Sequence, residues 1–124
     1  MLAYHYPARS APGIPVDLVC ELPVSGIKDS TGDPARLAIE IDEMGAGVYT
    51  GSAALALQAA AMGASGAILA LANVDPEGCL RAWQGDGECQ RELVNGHRVG
   101  GLSGIAGLKR VLSGLYGTSL VTRL

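Results

Sequence analysis

Apolar residues along the chain fall into short runs, each followed by a small or polar turn and then by a longer stretch with helical spacing. Leu2-Ala3-Tyr4-His5-Tyr6 reads as a short strand ended by Pro7. Pro12 and Pro15 punctuate the next segment, and Val16 to Leu22 reads as a brief helix. Val24-Ser25-Gly26-Ile27-Lys28 is the second predicted strand. Asp33 before Pro34 is an N-cap followed by proline at the first helical position, and the helix it opens stops near Gly45. Gly47-Val48-Tyr49-Thr50 is the third strand. Gly51-Ser52 turns it into an Ala/Leu-rich helix that ends at Gly63. Ala67 to Leu71 is the fourth strand, and Asn73 to Pro76 form a turn. One helix is predicted from Pro76 to about Val94 and another from Ile105 to Tyr116.

Continuous apolar strands that alternate with helices indicate a parallel α/β architecture. Four such units fit in 124 residues. A complete (β/α)8 barrel takes about 250 residues, so the length fits half a barrel followed by a helical tail. A small doubly wound domain of four or five strands is the alternative. Both place chemistry at the C-terminal ends of the strands.

Composition narrows the function. The chain is 48% hydrophobic with a formal net charge of −3, and no basic stripe is present to neutralise phosphates. Aromatics are 4% with no Phe, which argues against a base-stacking platform. Nucleic acid is therefore not the expected partner. The longest apolar stretch, Ala53 to Met62, is too short for a bilayer. No signal-like N-terminus is evident, and Cys20, Cys79 and Cys89 form neither a disulfide framework nor a zinc pattern. Thiols in a reducing cytoplasm are the expectation. His5 and His97 form no metal-binding cluster, and the glycine-rich stretches lack a phosphate-loop signature.

Lys28 is the first candidate for chemistry. A lysine at the end of a buried strand is partly desolvated, which disfavours the ammonium form and leaves an amine able to attack a carbonyl. A strand-tip lysine snorkelling to water is the competing reading. Tyr4 holds the matching place on the first strand, as a proton relay or as a packed aromatic. Arg9 could pair with a substrate carboxylate or be a solvated loop residue. Gly51 admits a close backbone approach, and Ser52 could touch substrate or simply cap a helix. Asp29 and Asp33 fit capping and ion pairing better than metal binding.

The run Gly26-Ile27-Lys28-Asp29-Ser30-Thr31-Gly32-Asp33 resembles the motif of the dihydrodipicolinate synthase / N-acetylneuraminate lyase family, the class I pyruvate-dependent aldolases. Tyr4-His5-Tyr6-Pro7 resembles the family's YNxP segment, with His5 and Tyr6 in place of the common Asn and Val. Val48 to Ser52 and Gly66 to Val74 resemble its seventh- and eighth-strand segments, and Ile105 to Lys109 resembles its tail. The resemblance implies a fold made of strands 5–8 plus the C-terminal helices of a (β/α)8 barrel. Residues 1–75 would be the half-barrel units, and residues 76–124 the helical region of the same domain.

The resemblance further implies a lyase or synthase that forms a Schiff base with pyruvate or another 2-oxo acid and adds it to, or cleaves it from, an aldehyde. Lys28 would be the Schiff-base lysine, Tyr4 the proton relay, and Ile68 a wall of the pyruvate pocket. Arg9 matches an arginine near the second substrate's carboxylate, although Ser10-Ala11-Pro12-Gly13 departs from the usual continuation. Gly51-Ser52 and Ala70-Leu71-Ala72-Asn73-Val74 look more like the 4-hydroxy-2-oxoglutarate aldolase branch. No cofactor or metal is implied, and the full-length family implies a homo-oligomer. The family's Gly-x-x-Gly-Glu segment and paired Thr-Thr or Ser-Thr turn are not found in these residues. An inactive fragment or an assembly subunit of such an enzyme is therefore the alternative.

Overall fold

A computed structural model of the chain describes residues 1–45 and 47–121, with the backbone alone for residues 97–104. Four strands, β1 (Leu2–His5), β2 (Gly26–Asp29), β3 (Val48–Thr50) and β4 (Gly66–Ala67), form one parallel sheet in the order β1-β2-β3-β4. Each neighbour pair is joined by a helical crossover: α1 (Val16–Glu21), α2 (Pro34–Met44) and α3 (Ala56–Met62). Two further helices follow, α4 (Pro76–Trp83) and α5 (Gly87–Tyr116). The pattern is that of half a β/α barrel, as expected.

Helix boundaries follow local chemistry. The Asp33 carboxylate accepts from the Ala35 and Arg36 amides, Pro34 stands at the first turn, and Gly45 closes α2 at φ 68°. Helix α3 ends at Gly63 in the same left-handed conformation, at φ 89°.

Two expectations need correction. The fourth strand was to run from Ala67 to Leu71, yet β4 stops at Ala67 and Ala70–Asn73 form a 3-10 turn. Its partner β3 ends at Thr50, and beyond the Ile68 amide bond to the Thr50 carbonyl no neighbour remains to extend the ladder. The helix expected from Pro76 to Val94 is broken at Gln84-Gly85-Asp86. Gly85 takes φ 105°, and the Asp86 carboxylate accepts from the Glu88 and Cys89 amides to start α5. Helix α5 then runs for 30 residues, through the glycines that had seemed to separate two helices.

The outward face of the sheet packs on the helices. Ile27 and Val48 meet Val19 of α1, Leu37 of α2 and Ala59 of α3. A second cluster of Ala53, Ala56, Leu69, Cys79, Ala82, Cys89 and Leu93 joins α3, α4 and α5. Buried Gln90 stitches α5 to the start of α3: its Oε1 accepts from the Leu57 amide at 2.7 Å, and its Nε2 donates to the Ala53 carbonyl at 3.0 Å. The Leu57 amide, in the first turn of α3, is a helix-terminal donor that needs a partner. Among the described residues no helix is long and apolar enough to cross a membrane.

Candidate active site

Side chains alternate across a strand, so residues between the outward-facing ones point to the opposite, inner face. Register places Tyr4 beside Lys28, Lys28 beside Tyr49, and Tyr49 beside Gly66. The Lys28 Nζ lies over the Tyr4 ring, 4.8 Å from its centroid. That is cation–π distance. The Tyr6 ring stands 6.2 Å from that of Tyr4, tilted by 49°.

Tyr4, Tyr6 and Lys28 open onto a cavity of about 470 Å³ at the C-terminal end of the strands. Arg9, Ser30, Thr31, Gly51 and Ser52 line it, and α5 contributes Gly96, Ile105 and Leu108. Among the described residues no carboxylate lines it. Gly51 is required by space: a Cβ there would sit 2.0 Å from the Ser30 Oγ and 2.9 Å from the Lys28 Cε.

Five of the six sequence candidates, Tyr4, Arg9, Lys28, Gly51 and Ser52, thus share one cavity. Ile68, just past β4, is 40% exposed and does not line it. Ser52 is buried and makes no capping bond to the helical turn that follows it. Tyr6, Ser30, Thr31 and the α5 residues were missed as lining groups. Ser30 and Thr31 stood beside Lys28 in the motif and could have been found there. Ile105 and Leu108 fall in the Ile105–Lys109 segment, where the family resemblance implies a pocket-facing turn, whereas no local signal points to Gly96. His97 lies outside the described side chains.

Behind Lys28, on the helix side, lies an ionic cluster. Arg36 Nε donates to Asp29 Oδ2 at 2.8 Å, and Arg36 Nη2 lies 2.8 Å from Glu40 Oε1. Neither oxygen of the fully buried Glu40 makes a well-aligned hydrogen bond. Burial, then the neighbouring Asp29 charge, pushes the Glu40 carboxyl up to about 7. The Asp29 carboxylate also accepts from the Thr31 amide and hydroxyl. His5 is buried beside this cluster. Burial, then the Arg36 charge, lowers its pKa, which keeps Nδ1 free to accept from the Ile14 amide at 2.9 Å.

A parallel sheet with a lysine-bearing cavity at its C-terminal edge is the layout of one side of a β/α barrel. No family model matches the chain. Among solved structures it is similar to the dihydrodipicolinate synthases. The Acinetobacter baumannii enzyme complexed with pyruvate matches at TM-score 0.82 and 28% identity, covering 99% of this chain and 47% of that one. The Aquifex aeolicus enzyme matches at TM-score 0.80 and 25% identity, with the same coverage. A Thermus thermophilus protein assigned to these synthases matches at TM-score 0.72 and 33% identity, covering 93% of this chain and 45% of that one. The resemblance read from the motifs is therefore borne out, and the chain spans a little under half the length of the structures it matches.

Proposed function

We propose that this chain carries the Schiff-base half-site of a pyruvate-dependent lyase or synthase. The observation that carries this reading is the Lys28 amine, set over the Tyr4 ring at the floor of a cavity lined by hydroxyls and Arg9. In the reaction the Lys28 Nζ attacks the C2 carbonyl of pyruvate, and water leaves to give an iminium ion. The iminium draws electrons from C3, which loses a proton to form an enamine. Enamine C3 then bonds to the carbonyl carbon of an aldehyde, whose oxygen takes a proton. Water releases the product and restores the amine. The cleavage direction reverses these steps.

In this scheme the Tyr4 hydroxyl moves protons between the intermediate and the aldehyde oxygen. Arg9 pairs with a carboxylate of the second substrate. Ser52 touches bound substrate, and Gly51 leaves room for the lysine stem. The pyruvate in the Acinetobacter baumannii synthase supports a 2-oxo acid as the donor. A cavity lined by Lys28 and Arg9, and by no carboxylate among the described residues, suits an anionic acceptor such as glyoxylate. Residues of α5 in that lining support a single domain that includes the helical region.

A coupled assay for pyruvate released from 4-hydroxy-2-oxoglutarate tests the proposal. Activity lost in Lys28→Ala, with the fold intact, is the expected result. Activity that persists in this variant contradicts it.

A further inference from the structure

The segment between Tyr6 and Pro15 brings Arg9 to the cavity but belongs to no strand or helix. A loop of this kind moves unless its backbone is tied down. Its far end is tied at one residue, Ile14, from two directions. The Ile14 amide donates to His5 Nδ1 at 2.9 Å. The Ile14 carbonyl accepts from Arg36 Nη2 at 2.8 Å. Gly13, at φ 86°, lies so close to the His5 ring that a Cβ would stand 2.7 Å from its Cε1.

Arg36 is itself held by the residue after the candidate nucleophile. Its Nε donates to Asp29 Oδ2 at 2.8 Å, while Glu40 lies against Nη2 from the next turn of α2. Asp29 belongs to β2, and its carbonyl accepts from the Gly51 amide. One guanidinium therefore joins the strand that bears Lys28 to the loop that bears Arg9. A planar fork with donors in several directions can do this at once, and a single ammonium cannot. None of the three side chains lines the cavity.

We propose that Arg36 is a positioning residue, clamping the Arg9 loop to the Lys28 strand and so setting the acceptor end of the cavity. What that end binds rests on the Schiff-base reading; the clamp itself does not. Glu40 backs the clamp from within α2, and His5 is its second anchor.

Trypsin reads the clamp directly, because the Arg9–Ser10 bond lies in the loop. Cleavage there is compared with cleavage after Arg110, in α5, in the purified protein. Arg36→Lys keeps the charge but cannot hold Asp29 and Ile14 together. It should raise the ratio roughly tenfold, as expected for the loss of one hydrogen bond to a charged donor. His5→Phe keeps a ring of similar size, removes the other anchor and should act in the same direction, which covers failure of the first variant to fold. With pyruvate as donor and glyoxylate as acceptor, Arg36→Lys should raise KM for glyoxylate roughly tenfold. KM for pyruvate should change by less than about twofold. An unchanged trypsin ratio in folded variants overturns the clamp. A raised ratio with equal changes in both KM values overturns the positioning role. If the parent protein forms no pyruvate adduct, the functional reading fails and the trypsin ratio alone decides the clamp.

Discussion

On the helix-facing side of the sheet, Ile27, Asp29, Val48 and Thr50 are buried, whereas on the inner side Leu2, Tyr4 and Ile68 remain 41%, 52% and 40% exposed. The outer set lies on β2 and β3, whose alternate residues Lys28 and Tyr49 are only half-buried, and Leu2 and Tyr4 lie on β1. The outer set meets helices that the chain itself supplies, and its polar members are fully engaged, with Asp29 on Arg36 and Thr31. On the inner side Tyr4 and Lys28 line the cavity, with the Lys28 amine over the Tyr4 ring. Stability and the proposed chemistry thus fall on the two faces set by the two-residue period of the strand. Asp29 holds the fold on one face while its neighbour Lys28 is free to act on the other.

The largest predicted effect tests the outer face. Leu37→Ala removes a buried side chain packed among Val19, Ile27 and Val48, and should cost about 2–5 kcal/mol in denaturant unfolding. Any pyruvate adduct formed by the folded fraction should keep its position. Gly51→Ala probes the boundary between the faces. Its Cβ would displace the Lys28 stem, so adduct formation should slow roughly tenfold, or about 1.4 kcal/mol. The φ of Gly51 is not positive, but the same Cβ would crowd the Ser30 side chain, so the melting temperature should fall as well.

Acidity separates the faces more finely. The Glu40 carboxyl is raised to about 7, so the folded state holds a proton that the unfolded state has released. Stability from this group is lost as pH rises through the folded value. His5, lowered in the folded state, works in the opposite direction, around and below its unfolded pKa of about 6.5. Between pH 6.5 and 8 Glu40 should cost about 1 kcal/mol of stability, offset in part by His5 at the lower end of that range. Urea unfolding of Glu40→Gln should show that slope removed. A slope unchanged in the variant would place the titration elsewhere. The smallest effect is at the edge of the helix layer. Asp33→Ala loses the cap of α2 and should cost about 1 kcal/mol.

Much of this division was legible in the sequence, and the places where it was not are instructive. Asp33-Pro34 and Gly45 announced α2 because caps act locally. Lys28, Tyr4 and Gly51 were found because they sit where parallel strands end. The length of β4 was misjudged, since an apolar run does not reveal where its neighbour stops. Gly85 and Asp86 break the helix there because a left-handed glycine and an Asp cap coincide, whereas the glycines within α5 meet no such cap and remain helical. The Arg36 clamp was invisible because it joins residues 14, 29 and 36, which no local pattern links. Gly96 of α5 was hidden for the same reason, whereas Ile105 and Leu108 lie in the tail segment that the motif resemblance covered.

The central claim is that the inner face carries the chemistry, at Lys28. The chain has only two lysines, Lys28 and Lys109. The direct measurement is incubation with pyruvate, reduction with borohydride, and peptide mapping of the adduct by mass. One reduced pyruvyl group on Lys28, absent from Lys109 and absent in Lys28→Ala, is the predicted result. A folded protein that gives no adduct, or one modified equally at both lysines, would contradict it.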